Sequence, residues 1–387
     1  MTQPSLDNLV PTGLRAGLGA LALLSLVALA AGAALGLPGV WGGFLMAFYL
    51  FIGLGLAGIV FIAIQYAAKG RWATQIRRVP EAMAQTLLVG GALVLVLLWA
   101  APHLYPWTDP EHFKEAAFAS KKAYFSTLFY SLRSLAYVLG WIVLSQLILA
   151  QSRKQDLDGD ASRTATARRL SMGFLIFFAY SFWLAMVDWV GSLEVDWSST
   201  IFGVYGFAGI MQSGFAAIIL LVMYLERRGA LKGVRDEHYA DLGKFLFAFS
   251  AFWAYMWFSQ YMLTWYADLP EENKYYLLRG GVWAYIMGAV VVGRFLVPFF
   301  GLASQADKRS RGRLAAVAGI VLFSHWLDAL LMVMPSLTKG GFSVSPFTVL
   351  LPLGFLAGFF LLFLLFFRKQ KPVPERDPGL AYSQHYS

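Results

Sequence analysis

Apolar residues in this chain neither alternate with polar ones nor keep to one helical face. They come in unbroken runs of about 20 residues, long enough to cross the hydrocarbon core of a bilayer as a helix. Ten runs can be marked, at 16–36, 40–67, 85–104, 124–150, 170–190, 199–225, 244–266, 281–301, 314–334 and 346–367. In hydrocarbon each backbone N–H and C=O needs a partner within its own segment, so runs of this length are helices. A membrane β-barrel would need short segments of alternating polarity, and none occur. The pattern predicts an all-α polytopic membrane protein of about ten transmembrane helices. The first run has the length of a signal peptide. Its leading flank carries only Arg15, and Gly32 to Leu37 passes through Pro38 into the next run, which favours a helix that stays in place. No soluble domain interrupts the runs, so 1–368 reads as one transmembrane domain. The polar segment 369–387, with Pro372 and Pro374, is expected to be a disordered cytoplasmic tail.

Composition narrows the chemistry. Hydrophobic residues make up 58% of the 387 and charged residues 14%, against about 25% charged in a soluble domain. There are no cysteines, which excludes disulfides, cysteine-held iron–sulfur clusters and covalent haem attachment. Of five histidines only His325 lies well inside an apolar run, His103 standing at the very end of another, so no pair of buried histidines can clamp a haem. The acidic turn Asp156–Asp160 fails as a calcium loop, because Ala161 and Ala167 stand where glycine and glutamate are needed. The chain is expected to hold no metal and no redox centre of its own.

The net charge of +9 is distributed by topology. Arg15 and the clusters at Lys69–Arg78, Arg153–Arg169, Arg227–Arg235, Lys308–Arg313 and Arg368–Arg376 hold 22 of the 31 lysines and arginines. The alternate connections hold six: Lys114, Lys121, Lys122, Lys274, Arg279 and Lys339. By the positive-inside rule both termini face the cytoplasm. The basic excess suits anionic lipid headgroups and gives no reason to expect a nucleic-acid partner. The opposite connections carry Asp109, Glu111, Glu115, Glu194, Asp196, Asp268, Glu271 and Glu272 among Trp107, Trp197, Trp265, Tyr266, Tyr275 and Tyr276, an aromatic belt or a docking face for an extramembrane partner.

Ionisable side chains within spans are costly, and each is a candidate for function. His325 and Asp328 are three apart on the ninth span, hence on one face, placed to share a proton or to bond a quinone carbonyl. Ser126, Tyr130, Arg133 and Tyr137 form one stripe of the fourth span, and Arg133 needs a carboxylate, Asp188 or Asp328. Asp188 closes the fifth span, with Tyr180 two turns deeper and Glu194 in the loop beyond. Arg294 on the eighth span is read as snorkelling. Ordered by depth from the outer side, Glu194, Asp188, Arg133, Asp328, His325 and Arg294 form a ladder, the candidate proton path together with Tyr130 and Tyr137. Gly53 with Ala57, and Gly203, Gly206 and Gly209, are expected to let helices approach closely.

Three stretches carry a likeness. Ser192-Leu-Glu194 leading into Ser199-Thr-Ile-Phe-Gly-Val-Tyr205, then Phe252 to Glu272, then His325-Trp-Leu-Asp328 before Met334-Pro335, resemble the smaller NrfD-like membrane subunit of bacterial alternative complex III, a quinol:electron-acceptor oxidoreductase. The resemblance implies two four-helix bundles, spans two to five and six to nine, flanked by spans one and ten. It implies the bacterial inner membrane and menaquinol or another quinol as the substrate of the complex. It also implies partners: a larger NrfD-like quinol-binding subunit, multihaem and monohaem cytochrome c subunits, an iron–sulfur subunit and small membrane subunits. Haem and iron–sulfur centres would lie in those partners. For this chain it implies a quinone-binding type of scaffold and a proton path through Asp188, Glu194, His325 and Asp328. The residues alone also admit an autonomous secondary transporter or a purely structural membrane anchor.

Overall fold

The computed structural model describes residues 5–109 and 122–386. Glu111, Lys114, Glu115 and Lys121 lie outside the described residues. Among those described there is no strand. Ten long helices account for the ten apolar runs: α1 (Thr12–Ala34), α2 (Val40–Ala67), α3 (Arg78–Leu104), α4 (Thr127–Asp158), α5 (Ser162–Trp189), α6 (Phe202–Arg227), α7 (Asp236–Ala267), α8 (Val282–Gly301), α9 (Arg311–Leu337) and α10 (Phe347–Phe367). Nine are apolar enough over 18 residues to cross a membrane on composition alone, among the described residues. The exception is α7, where tryptophan, tyrosine, serine and glutamine dilute the aliphatic content. Its 32 residues still span about 48 Å at 1.5 Å per residue. Several helices outrun their apolar stretch: α4 continues to Asp158, and α5 begins at Ser162. Hydrophobicity marks the bilayer, whereas a helix ends where capping or glycine ends it; α4 stops at Gly159, in the left-handed region at φ 70°.

Helices α2 to α5 close a ring, each packed on the next and α5 back on α2. Helices α6 to α9 close a second ring in the same way. The rings meet where α6 packs on α2 and α5, and α9 on α2. Outside them α10 lies on α2, and α1 on α10. The expected pair of four-helix bundles with two peripheral helices is therefore the architecture found. Burial follows: the apolar windows of α2 and α6 are 94% and 89% buried and that of α1 only 17%, so the first helix of each ring forms the core. Small residues allow this. A Cβ on Gly214 of α6 would stand 2.2 Å from the Cβ of Ala57 on α2, a distance only glycine permits.

Pro298, Pro335 and Pro352, inside α8, α9 and α10, each leave a carbonyl four residues back without its N–H. Each is answered from another helix or its flank. Pro298 frees Arg294 O, which accepts from Gln212 Nε2 at 2.6 Å. Pro335 frees Leu331 O, which accepts from Arg279 Nε at 3.0 Å. Pro352 frees Thr348 O, which accepts from Trp326 Nε1 at 2.9 Å. Unpaired carbonyls are intolerable in hydrocarbon, and these donors replace the missing ones.

Segment 369–386 is not loose, contrary to the sequence expectation. Val373, Asp377, Leu380 and Ser383 are buried. Arg77 Nη2 donates to Asp377 Oδ2 at 2.7 Å, Ser383 Oγ accepts from Gln75 N at 3.0 Å, and His238 Nε2 lies 3.1 Å from the same hydroxyl. Polar composition disguised the sparse apolar anchors that dock it. The Asp156–Asp160 segment is only partly the expected turn: Asp156 to Asp158 close α4, and the chain turns at Gly159 and Asp160. Asp156 pairs with Arg78, Asp158 with Arg163 at 3.0 Å, and Asp160 accepts from Ser162 N at 2.8 Å. Local hydrogen bonds hold the exposed Asp158 and Asp160 carboxyls below the usual range, chiefly the Asp160 N–H for the first and the Ser162 hydroxyl for the second.

Candidate functional site

The in-span charges gather into two clusters, one inside each ring. In the first ring Arg133 on α4 grips Asp188 on α5 with two parallel bonds, Nε to Oδ2 at 3.0 Å and Nη2 to Oδ1 at 2.8 Å. Tyr137, one helical turn along α4, donates to Oδ2 at 3.0 Å. The remaining Arg133 nitrogen donates to Tyr124 O at 2.9 Å, and the guanidinium lies against the rings of Tyr124 and Phe129, 3.8 and 4.3 Å from their centres. Tyr130 continues the stripe by donating to Tyr105 OH at 3.2 Å, which donates to Trp189 O at 2.9 Å. Asp188, not Asp328, is thus the partner of Arg133. Ser126 stands apart, exposed at the start of α4. Tyr180 is exposed as well, since eight residues at 100° each leave it about 80° from Asp188 around the helix.

In the second ring the hub is Arg294, fully buried. The snorkelling expectation fails because partners from three helices surround it. Its Nη1 donates to Asp328 Oδ2 and, at 2.8 Å, to His325 Nδ1. Its Nε donates to Gln212 Oε1 and its Nη2 to Gly209 O, both at 2.8 Å. The Trp253 ring covers it at 4.9 Å. An arginine can only donate, so His325 accepts at Nδ1 and its ring proton sits on Nε2. His325 and Asp328 do share a face, but the arginine stands between them. The other Asp328 oxygen accepts from Tyr205 OH.

Local structure aims this hub. Residues Val292–Leu296 form a π-turn inside α8, which rotates Arg294 relative to a regular helix; such bulges recur at functional sites. A Cβ on Gly293 would meet Ser324 Oγ at 1.9 Å, so glycine there lets α8 sit against α9. Gln212 bridges both ends of Arg294, side chain and carbonyl, and also donates to Ser250 Oγ at 2.8 Å.

The sequence ladder is therefore not a single file. No hydrogen bond joins the two clusters among the described residues, and Glu194 belongs to neither. Between the rings, at the acidic, aromatic end, lies a cavity of about 660 Å³. Tyr124 and Ser192 line it from the first ring, Gln260 and Thr264 of α7 from the second, and Glu194 from the loop. Gln260 is buried, and its Oε1 accepts no hydrogen bond. Burial pushes the Glu194 carboxyl above the usual carboxylate range, against opposing effects of Ser336, Lys274 and Arg279. Gln260 also lines a void of about 20 Å³ that Tyr205 and Arg279 share, room for one water. Beyond it lies the Tyr205–Asp328 contact.

Sequence reasoning missed Gln212, Tyr205, Gln260 and the inner role of Arg279. One signal was available: Pro298 stands four residues after Arg294 and must leave its carbonyl seeking a donor. No family model matches this sequence, and no curated protein shows significant similarity to it.

Proposed function

We propose that this chain is the NrfD-like membrane subunit of a quinol:electron-acceptor oxidoreductase of the alternative complex III type, in a bacterial inner membrane with both termini cytoplasmic. The cavity between the rings carries the reading. Its volume suits a quinol headgroup, its walls are largely apolar, and Gln260 and Glu194 stand among the polar groups that line it. Gln260 Oε1 offers an acceptor to one quinol hydroxyl. Glu194, whose carboxyl burial raises above the usual range, is a base for the proton released there. Quinol oxidation frees two electrons and two protons. The electrons belong to haem and iron–sulfur centres of partner subunits, because this chain supplies no cysteine and no histidine pair to hold one.

We assign the proton path to the line that runs from the void behind Gln260 through Tyr205 and Asp328 to the Arg294–His325 pair. Tyr130, Tyr137, Arg133 and Asp188 lie behind the first-ring wall, where Arg133 holds the carbonyl of the lining residue Tyr124. Their bonds are satisfied among themselves, which supports a clasp that shapes the cavity.

Two measurements test the proposal. Mild solubilisation should bring the chain down with haem-staining partners; migration alone would return it to the transporter reading. In the assembled complex Glu194→Gln and Gln260→Leu should each slow quinol oxidation at least tenfold, Gln260→Leu mainly through KM. Unchanged turnover in both removes the cavity from the mechanism.

A further inference from the structure

A second cavity, of about 330 Å³, opens at the basic end between the end of α2, the start of α5 and the docked tail. Four cations line it, Lys69, Arg71, Arg77 and Arg168, with one carboxylate, Asp377. That carboxylate is already spent: Oδ2 accepts from Arg77 and Oδ1 from Gly379 N, both at 2.7 Å. The side chains of Lys69, Arg71 and Arg168 make no hydrogen bond or ion pair among the described residues. Three uncompensated cations thus share one concavity.

The backbone adds an independent sign. Helix α2 ends in a Schellman turn, Gly70 N bonding Gln65 O at 2.8 Å and Lys69 N bonding Tyr66 O at 3.3 Å. Lys69 occupies its left-handed position at φ 58°, where glycine is the unstrained residue. Strain retained at a position with a cheap alternative points to a use for the side chain. The same face of α5 that offers Ala165 and Arg168 to this cavity presents Leu175, Ala179 and Phe182 to an apolar groove of about 260 Å³. Val60 and Ile64 of α2 line that groove too. Seven residues from Arg168 to Leu175 place it about 10 Å deeper.

We infer that this cavity binds the phosphate of an anionic phospholipid, with an acyl chain laid along the α2–α5 groove. The adjoining apolar groove selects a lipid over free phosphate. Binding at this place would tie α2, α5 and the tail together at the membrane surface.

The test is native mass spectrometry of the delipidated full-length chain, titrated with phosphatidylglycerol, phosphatidylcholine or inorganic phosphate. Wild type should retain phosphatidylglycerol in preference to phosphatidylcholine. Lys69→Gly relieves the strained turn, so it should melt no lower than wild type while losing phosphatidylglycerol affinity about fivefold. Adding Arg71→Gln and Arg168→Gln should deepen the loss to about 100-fold. Equal retention by wild type and the triple variant overturns the site. Equal retention of the two lipids, or binding of phosphate without preference for phosphatidylglycerol, overturns the lipid assignment.

Discussion

Each ring places an arginine on its third helix and an aspartate on its fourth, and the two pairs live differently. Arg133 and Asp188 sit near the end of their ring, with Arg133 braced by aromatic faces and a loop carbonyl. Arg294 and Asp328 lie deeper, with Gln212, His325 and Tyr205 around them. The first pair closes on itself in a bidentate grip, the strongest geometry available to arginine and carboxylate. The second spends its bonds on many partners, leaving a histidine and a tyrosine attached. A closed pair holds helices; a branched one also offers protons a way through.

Asp328→Leu should be the most damaging single change, costing about 3–5 kcal/mol because Arg294 is left buried and unpaired. The double change Arg294→Met with Asp328→Leu should recover most of the thermal stability. If that double variant assembles and still releases quinol-linked protons, the branched cluster is a clasp like the other. Asp188→Asn should cost about 2–3 kcal/mol, less than Asp328→Leu because one acceptor survives and the Tyr124 carbonyl still serves Arg133. It should leave proton release per quinol unchanged; a drop would put the first ring into the path. Gln212→Leu should cost about 1–2 kcal/mol by orphaning Arg294 O, read as a lower melting temperature in detergent.

Glu194 gives the smallest and sharpest signal. Burial raises its pKa in the folded chain, so its protonated form favours folding. That contribution is complete below the unfolded pKa and is lost as pH rises through the folded one. Glu194→Gln should therefore match wild type in acid and melt slightly higher at neutral pH. In the complex it should abolish the rise in quinol oxidation with pH on the acid side, because the base that must lose its proton is gone.

Span number and the two aspartates were legible because bilayer length and the cost of buried charge act locally on the sequence; ring membership came only as what the resemblance implies. Pairings were not. Arg133 had two candidate carboxylates at suitable depth, and only the packing of α4 on α5 selects Asp188. Arg294 looked like a residue near a helix end until the π-turn and Gly293 carried it against α9. Gln212 resembles any amide in an apolar run, and its meaning depends on a proline in another helix. The tail misled for a different reason: four anchors spread over eleven residues leave no periodicity to detect.

The answered prolines bear on how the chain is made. Gln212 is synthesised before the Arg294 carbonyl it serves, Arg279 before Leu331, and Trp326 before Thr348. Each waiting carbonyl thus emerges after its donor has entered the membrane, and the last of them is met only when α10 arrives. A ribosome halted before α10 would leave Trp326 without its acceptor and α2 without the helix that covers its outer side. Truncation there should mark the nascent chain for membrane proteolysis rather than yield a smaller stable protein.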